Sequence, residues 1–264
     1  MELAERHVVI TGAGSGIGRA LAKRIACERP RALVLADVNL DAAGAVAREV
    51  GGLAVQTDVG REEDIRALVE RAREHAGAID LFCSNAGVPG PGGGPEAPDD
   101  ELQRTWEVNV MAHVWAARAV LPEMVDRGEG YLLTTASAAG LLTQVSALAY
   151  SITKHAAVAA AEWIAINYGD AGIKVSCLCP LGVRTPMLDT AFEDRIGAAA
   201  LLRDELLEPD DVAEAAVAGI RDERFLVLPH PAVAKYVALK GADHERWLAG
   251  MRGLVRSARE SEAG

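Results

Sequence analysis

Basic charge is scarce in this sequence: 27 Lys and Arg stand against 38 Asp and Glu, a net charge of −11, and no local Lys/Arg cluster reverses the balance. Such a surface repels a phosphate backbone or an anionic bilayer, so nucleic acid is not an expected partner. Cysteine is sparse as well. Cys27, Cys83, Cys177 and Cys179 each sit in an apolar segment, and none has the C-x-x-C spacing of a zinc or redox site. Cys177 and Cys179 would share one face of a strand, yet no histidine cluster stands ready to complete a coordination shell, and no metal is expected. Nowhere do eighteen apolar residues run together without charge, and the first seven residues lack the parts of a secretion signal. A cytoplasmic location is therefore expected. Neither an internal repeat nor a linker interrupts the 264 residues, and 50% of them are hydrophobic, enough for the core of a single domain over 1–264.

What the chain does have is an alternation of short apolar, β-branched runs with longer helical patterns. Strands are expected at 7–11, 32–37, 53–57, 79–84, 130–135 and 174–179, with a last short one near 225–229. Helices fall between them at 16–28, 40–50, 62–75, 100–120 and up to 168, and another begins at Pro209. This order builds an α/β fold, a doubly wound parallel sheet with helices on both faces. Between 88 and 98, four prolines and four glycines forbid either element, so a mobile surface loop is expected there.

The first strand runs into Gly12-Ala13-Gly14-Ser15-Gly16-Ile17-Gly18. Glycines at a strand-to-helix turn let a ligand approach bare backbone, and the helix N-terminus behind them favours a pyrophosphate. The second strand ends in Asp37. A carboxylate there can accept hydrogen bonds from both ribose hydroxyls of an adenosine and repels a 2′-phosphate, which favours NAD over NADP; the competing reading is an aspartate that caps the next helix.

Tyr150 and Lys154 lie four apart in a helical run, so one turn puts phenol and ammonium on the same face. A free phenol is protonated at neutral pH, and bringing its pKa down by two to three units needs about 3 to 4 kcal/mol of preferential stabilisation of the phenolate. A fixed cation supplies part of that. Ser137 stands at a strand end thirteen residues earlier, and Asn109 lies in the long helix before it.

Taken in order, Thr11-Gly12-x-x-x-Gly16-Ile17-Gly18, Ser84-Asn85-Ala86-Gly87, Asn109, Ser137 and Tyr150-x-x-x-Lys154 resemble the short-chain dehydrogenase/reductase family, over about residues 5–185. The resemblance implies a Rossmann-like domain that moves hydride between a nicotinamide cofactor and an alcohol or carbonyl carbon. It implies Tyr150 as general acid/base, Lys154 as the holder of the phenolate and the nicotinamide ribose, Ser137 on the substrate oxygen, and Asn109 holding a water in a proton relay. It further implies Asp58 and Val59 beside the adenine, Asn85, Ala86 and Gly87 under the cofactor, and Pro180, Val183 and Thr185 near the nicotinamide. Ser15 stands where many NADP-dependent members carry a basic residue, in agreement with Asp37.

Two departures stand out. Leu181 occupies the place of a usual glycine after the sixth strand, and the chain runs from 225–228 into His230 and a charged helix rather than the glycine-rich end that helps many members form tetramers. A homo-oligomer, dimer or tetramer, remains the expectation. The substrate side is expected to be apolar, from Ala138, Ala139, Leu141, Leu142, Val145, Leu181, Met187, Leu188 and Phe192, which suits a hydrophobic secondary alcohol or ketone. Short helices over about 186–208 would cover it. An amphipathic helix over about 240–260, with Trp247, Leu248, Met251, Leu254 and Val255 on one stripe, would pack onto the body or a second subunit; membrane contact is not expected. Two alternatives stay open, a non-catalytic NAD sensor and an epimerase or dehydratase built on the same hydride chemistry.

Overall fold

The computed structural model of the protein describes residues 1–192, 196–198 and 204–260, the side chains of 190–192 excepted. Seven strands form one sheet: β1 (His7–Thr11), β2 (Ala32–Asp37), β3 (Leu53–Gln56), β4 (Leu81–Ser84), β5 (Gly130–Thr135), β6 (Ile173–Leu178) and β7 (Leu226–Val227). Their order is β3-β2-β1-β4-β5-β6-β7, and each neighbouring pair is parallel. Alternation along each strand divides the core in two. Val9, Val34, Phe82 and Leu132 face a layer made by α3 (Glu62–Ala76), α5 (Ala112–Arg127) and α7 (Leu148–Tyr168). Their neighbours Val8, Ile10, Leu33, Leu35 and Leu81 face α1 (Gly16–Ala26), α2 (Leu40–Val50) and, near β6 and β7, a helix over Pro209–Arg221. Both faces being covered, β1, β4 and β5 are buried along their whole length, which is why Val8–Ile10, Leu81–Cys83 and Tyr131–Leu133 are apolar without alternation.

Strand order reverses between β1 and β4. In such a sheet the crevice beyond the carboxyl ends of these two strands is where a ligand can enter. The glycine turn follows β1, Asn85 follows β4, and Ser137 follows β5, so three of the candidate segments converge there.

Four details depart from the expectations. The helix expected over 100–120 is α4 (Asp99–Trp106), a π turn at Glu107–Met111 and then α5; π turns widen the helix locally and are frequent at functional sites. The 88–98 segment is tied rather than loose: the Gly93 amide donates to the Ser146 carbonyl at 2.8 Å, and the Leu148 amide donates back to the Gly93 carbonyl at 3.0 Å. A four-residue helix, α6 (Ala139–Leu142), intervenes before α7, its pattern too short to register as a helix in sequence. Finally, of the cover expected over 186–208, α8 (Pro186–Phe192) forms, while residues 193–195 and 199–203 and the Phe192 side chain lie outside the described residues.

After α9 (Pro209–Arg221) and β7, the tail folds as two helices, α10 (Pro231–Ala242) and α11 (His244–Glu260), separated by extended backbone at Asp243. Together with Leu181, Ala138 and Leu142, Val233, Tyr236, Val237 and Trp247 make a third, small core beside the site.

Candidate active site

The glycine turn is held open by its own geometry. Gly12 has φ +66°, and a Cβ there would come within 2.9 Å of the Ala86 Cα; a Cβ on Gly18 would run into the Gly12 carbonyl. Only glycine lets β1, the turn and the β4 end approach this closely. Thr11 fastens the turn to β4: its Oγ1 accepts from the Asn85 amide at 3.0 Å and the Ala86 amide at 3.1 Å, and the Asn85 side-chain amide donates to the Thr11 carbonyl at 3.0 Å. Ser15 is the N-cap of α1, but its side chain makes no capping hydrogen bond, so the first amides of the helix are left for a ligand.

Asp37 does not cap α2. That role falls to Asn39, whose side chain accepts from the Ala42 amide at 3.0 Å. Asp37 instead takes the Gly14 amide at 2.9 Å and the Asn39 amide at 3.0 Å, which fixes the carboxylate beside the glycine turn. Asp58 is paired with Arg104 at 2.7 Å and accepts the Gly60 amide. Burial works against its ionisation, yet the guanidinium and the amide outweigh burial and hold the carboxyl below its ordinary range.

At the other end Lys154 is 3% exposed and donates to the Thr135 carbonyl at 3.1 Å, its one hydrogen bond among the described residues. An ammonium carries three donors, so two remain for a ligand. Burial brings this lysine down from 10.5 to about 8. Its Nζ lies 5.6 Å from the centre of the Tyr150 ring. Contrary to the expectation of a lowered phenol, burial raises Tyr150, and the hydrogen bond with Ser137 offsets only part of this. The ammonium bonds to a carbonyl and not to the phenol, so the protein alone holds Tyr150 protonated. Ser137 Oγ is itself fixed by the Ala139 amide at 3.1 Å.

One cavity of about 610 Å³ joins the two ends. Gly12, Ser15, Gly16, Ile17, Gly18, Asp37, Asp58 and Val59 line it on one side, and Ser137, Tyr150, Lys154, Pro180, Val183 and Thr185 on the other, with Asn85, Ala86 and Gly87 along the β4 end. Ala139, Leu181, Met187 and Leu188 line its apolar part. Four other substrate candidates do not: Ala138 and Leu142 are buried in the third core with Leu141 packed against it, and Val145 lines a second hollow with Leu248 and Met251. Asn109 is also absent from the wall. Its Oδ1 accepts the Val88 amide at 2.9 Å, and its two Nδ2 hydrogens go to the Val88 carbonyl and Thr153 Oγ1, so the side chain acts as a strut between the β4 end and α7. Residues the sequence reading passed over are Arg104, Gln144 and Ser146 on the wall, and buried His113 one turn beyond Asn109, whose Nδ1 meets Ser84 Oγ at 2.7 Å. Burial, with the Lys154 charge as a smaller cause, drives His113 down to about 3 and keeps it neutral.

Residues 6–196 match the family model described as short chain dehydrogenase. The 1-deoxy-11-beta-hydroxypentalenate dehydrogenase of Streptomyces exfoliatus is 37% identical over 233 residues, covering 85% of this chain and 83% of that one. Estradiol 17-beta-dehydrogenase 11 of Mus musculus is 32% identical over 250 residues, 91% of this chain and 80% of its own. A crystal structure of a short chain dehydrogenase/reductase from Burkholderia phymatum in complex with NAD superposes with a TM-score of 0.84 at 33% identity, covering 93% of this chain and 96% of that one. A glycine turn after β1, the Ser137–Tyr150–Lys154 set beyond β5, and relatives that cover most of its length lead to one assignment: the chain belongs to the short-chain dehydrogenase/reductase family of oxidoreductases.

Proposed function

We propose that the protein is an NAD-dependent dehydrogenase of an apolar secondary alcohol, reversible to the ketone, with Tyr150 as general acid/base. The observation that carries this reading is the single cavity with Asp37 and the open amides of α1 at one end and Ser137, Tyr150 and Lys154 at the other. A dinucleotide fits those residues: amides without caps suit a pyrophosphate, a fixed carboxylate suits ribose hydroxyls, and the two uncommitted donors of Lys154 suit a second ribose. Asp58 and Val59 flank the adenine in this reading, and Asn85, Ala86, Gly87, Pro180, Val183 and Thr185 the nicotinamide half. When bound, the oxidised cofactor supplies a hydride acceptor and a positive charge beside the phenol. Ser137 then orients the substrate hydroxyl, and Tyr150 takes its proton as the carbinol carbon is oxidised. Lys154 holds the phenolate that accepts this proton, the oxidation leaves Tyr150 as a neutral phenol, and Asn109 keeps the lysine's helix in register with the β4 end.

The wall formed by Ala139, Leu181, Met187 and Leu188 supports an apolar substrate body, with Gln144 and Ser146 as the polar exceptions. One relative is named for a hydroxypentalenate and another for estradiol; we extend to this chain only the class of a hydroxyl-bearing substrate. A panel of secondary alcohols run with NAD, followed by NADH absorbance, tests the reading. Turnover of bulky apolar alcohols supports it, whereas preference for polyols or charged hydroxy acids, or no net NADH formation with any alcohol, counts against it.

Asp37 gives the cofactor preference its own test. Replacing it as Asp37→Asn removes the charge that a 2′-phosphate would meet, and the ratio of kcat/KM for NAD over NADP is expected to fall by about 30- to 100-fold, mostly through better use of NADP. An unchanged ratio would show that some other group selects the cofactor.

Self-association is supported by Ile152, Trp163 and Ile166 on α7, which are 50%, 58% and 79% exposed. No helix among the described residues is long and apolar enough to cross a membrane. Four free thiols, three of them buried, fit the reducing cytoplasm.

A further inference from the structure

The two departures from the family pattern, Leu181 after β6 and His230 after β7, meet in space. His230 is 4% exposed. Its Nδ1 lies 3.2 Å from the Leu181 amide and its Nε2 lies 3.1 Å from the Gly182 carbonyl. An amide nitrogen can only donate and a carbonyl can only accept, so the tautomer is fixed: Nδ1 is bare and Nε2 carries the proton. One neutral imidazole thus reads two successive peptide units of the segment that begins with Pro180 and ends with Thr185.

That segment touches both halves of the proposed chemistry. Its first carbonyl, of Pro180, accepts the Ala138 amide at 2.8 Å, directly beside Ser137. Leu181 faces the cavity and also packs into the third core, where Tyr236 and Val237 of α10 meet Ala138 and Leu142. Val183 and Thr185 line the same cavity two and four residues on. Gly182 receives a second bond from the Leu207 amide at 3.1 Å, but the Leu181 amide has His230 as its one partner among the described residues. α10 adds a further tie: Lys240 donates to the Leu141 carbonyl at 2.7 Å. A leucine in place of glycine narrows the conformations open to the backbone and presents a large side chain that has to be aimed.

We propose that His230 is a positioning residue: by accepting from Leu181 and donating to Gly182 it sets the Pro180–Thr185 segment, and through it the fit of the nicotinamide half of the cofactor and the Leu181 wall of the substrate pocket. The inference rests on the dinucleotide reading above and goes beyond it, because it assigns the tail of this chain to the site. It touches the nicotinamide end only, which gives it a signature that loss of general stability lacks.

Dissociation constants for NADH and for ADP-ribose, which lacks the nicotinamide, test it in the full chain. His230→Ala is expected to weaken NADH on the order of tenfold and to leave ADP-ribose within twofold. His230→Asn, whose Oδ1 can accept from the Leu181 amide in the place of Nδ1, is expected to recover most of the NADH affinity. Unaltered NADH binding in His230→Ala, a parallel loss for both ligands, or no recovery in His230→Asn overturns the inference. Should His230→Ala not fold, the imidazole ¹⁵N shifts of the unaltered protein decide: the Nε2–H tautomer is required, and Nδ1–H overturns it. Failure of the unaltered chain to bind either ligand sinks the dinucleotide reading and this one with it, whereas a chain that binds NADH but ignores His230 sinks this one alone.

Discussion

Tyr150→Phe is expected to lower alcohol turnover by about a thousandfold or more while NADH affinity stays within about threefold. The phenyl ring fills the same space, so packing of the half-buried side chain survives; what goes is the one atom able to take the proton. The size of the effect follows from the chemistry. A hydride cannot leave a carbinol carbon unless the hydroxyl proton leaves too, and the other polar group at that spot, Ser137, is a neutral hydroxyl with no means of becoming a strong base. The pH dependence has a definite sign. Burial raises the Tyr150 phenol, so oxidation must depend on a group that is protonated at low pH and releases its proton only with help from Lys154 and a positively charged ligand. Oxidation by the unaltered enzyme should therefore climb with pH along a limb that Tyr150→Phe removes. A variant that keeps turnover and the same limb would exclude the acid/base role and return the protein to the non-catalytic alternative.

Much of this site could be read in the sequence because its parts are local. A glycine turn, an i to i+4 pair on a helix and an acid at a strand end are each set within a few residues, and the parallel order of the strands brings them to one edge of the sheet. The parts that could not be read are those fixed by distant partners. Nothing near Asn109 reveals that its amide bonds to Val88 and Thr153, and nothing near Arg104 reveals that it neutralises Asp58. The Tyr150 and Lys154 pair was legible as a pair, but the direction of its charge was not, since the Thr135 carbonyl that takes the ammonium lies nineteen residues earlier. His230 shows the same limit most sharply: it stands 49 residues from Leu181, beyond α8, α9 and β7. The apolar substrate list failed in part for a related reason. Ala138, Leu142 and Val145 are apolar and close to Tyr150 in sequence, but α6 turns two of them into a core and the third away from the cavity.

The lysine leads to the second large effect, in which stability and activity move in opposite directions. Lys154 is buried to 3% exposure and stands at about 8 instead of 10.5, so the folded chain carries an ammonium it would rather not hold. Below pH 8 both the folded and the unfolded chain keep this proton, and the cost of burying the charge, about 3 kcal/mol as an upper bound, is present in full. As pH rises from 8 towards 10.5 the folded chain releases the proton first, and the cost fades. Lys154→Met keeps the length of the side chain and removes the charge, at the expense of leaving the Thr135 carbonyl without its donor. The net gain at neutral pH is then about 1 to 2 kcal/mol, and a melting temperature roughly 3 to 6 °C above the unaltered protein is expected. The margin should shrink steadily above pH 8. Turnover should fall by at least about a hundredfold over the whole range, because the cation that holds the phenolate is gone. A Lys154→Met protein that melts lower at pH 7, with the gap unchanged at pH 10, would mean that the ammonium is already compensated in the folded chain. The residue would then be structural first, and the charge that makes Tyr150 a base would have to come from somewhere else.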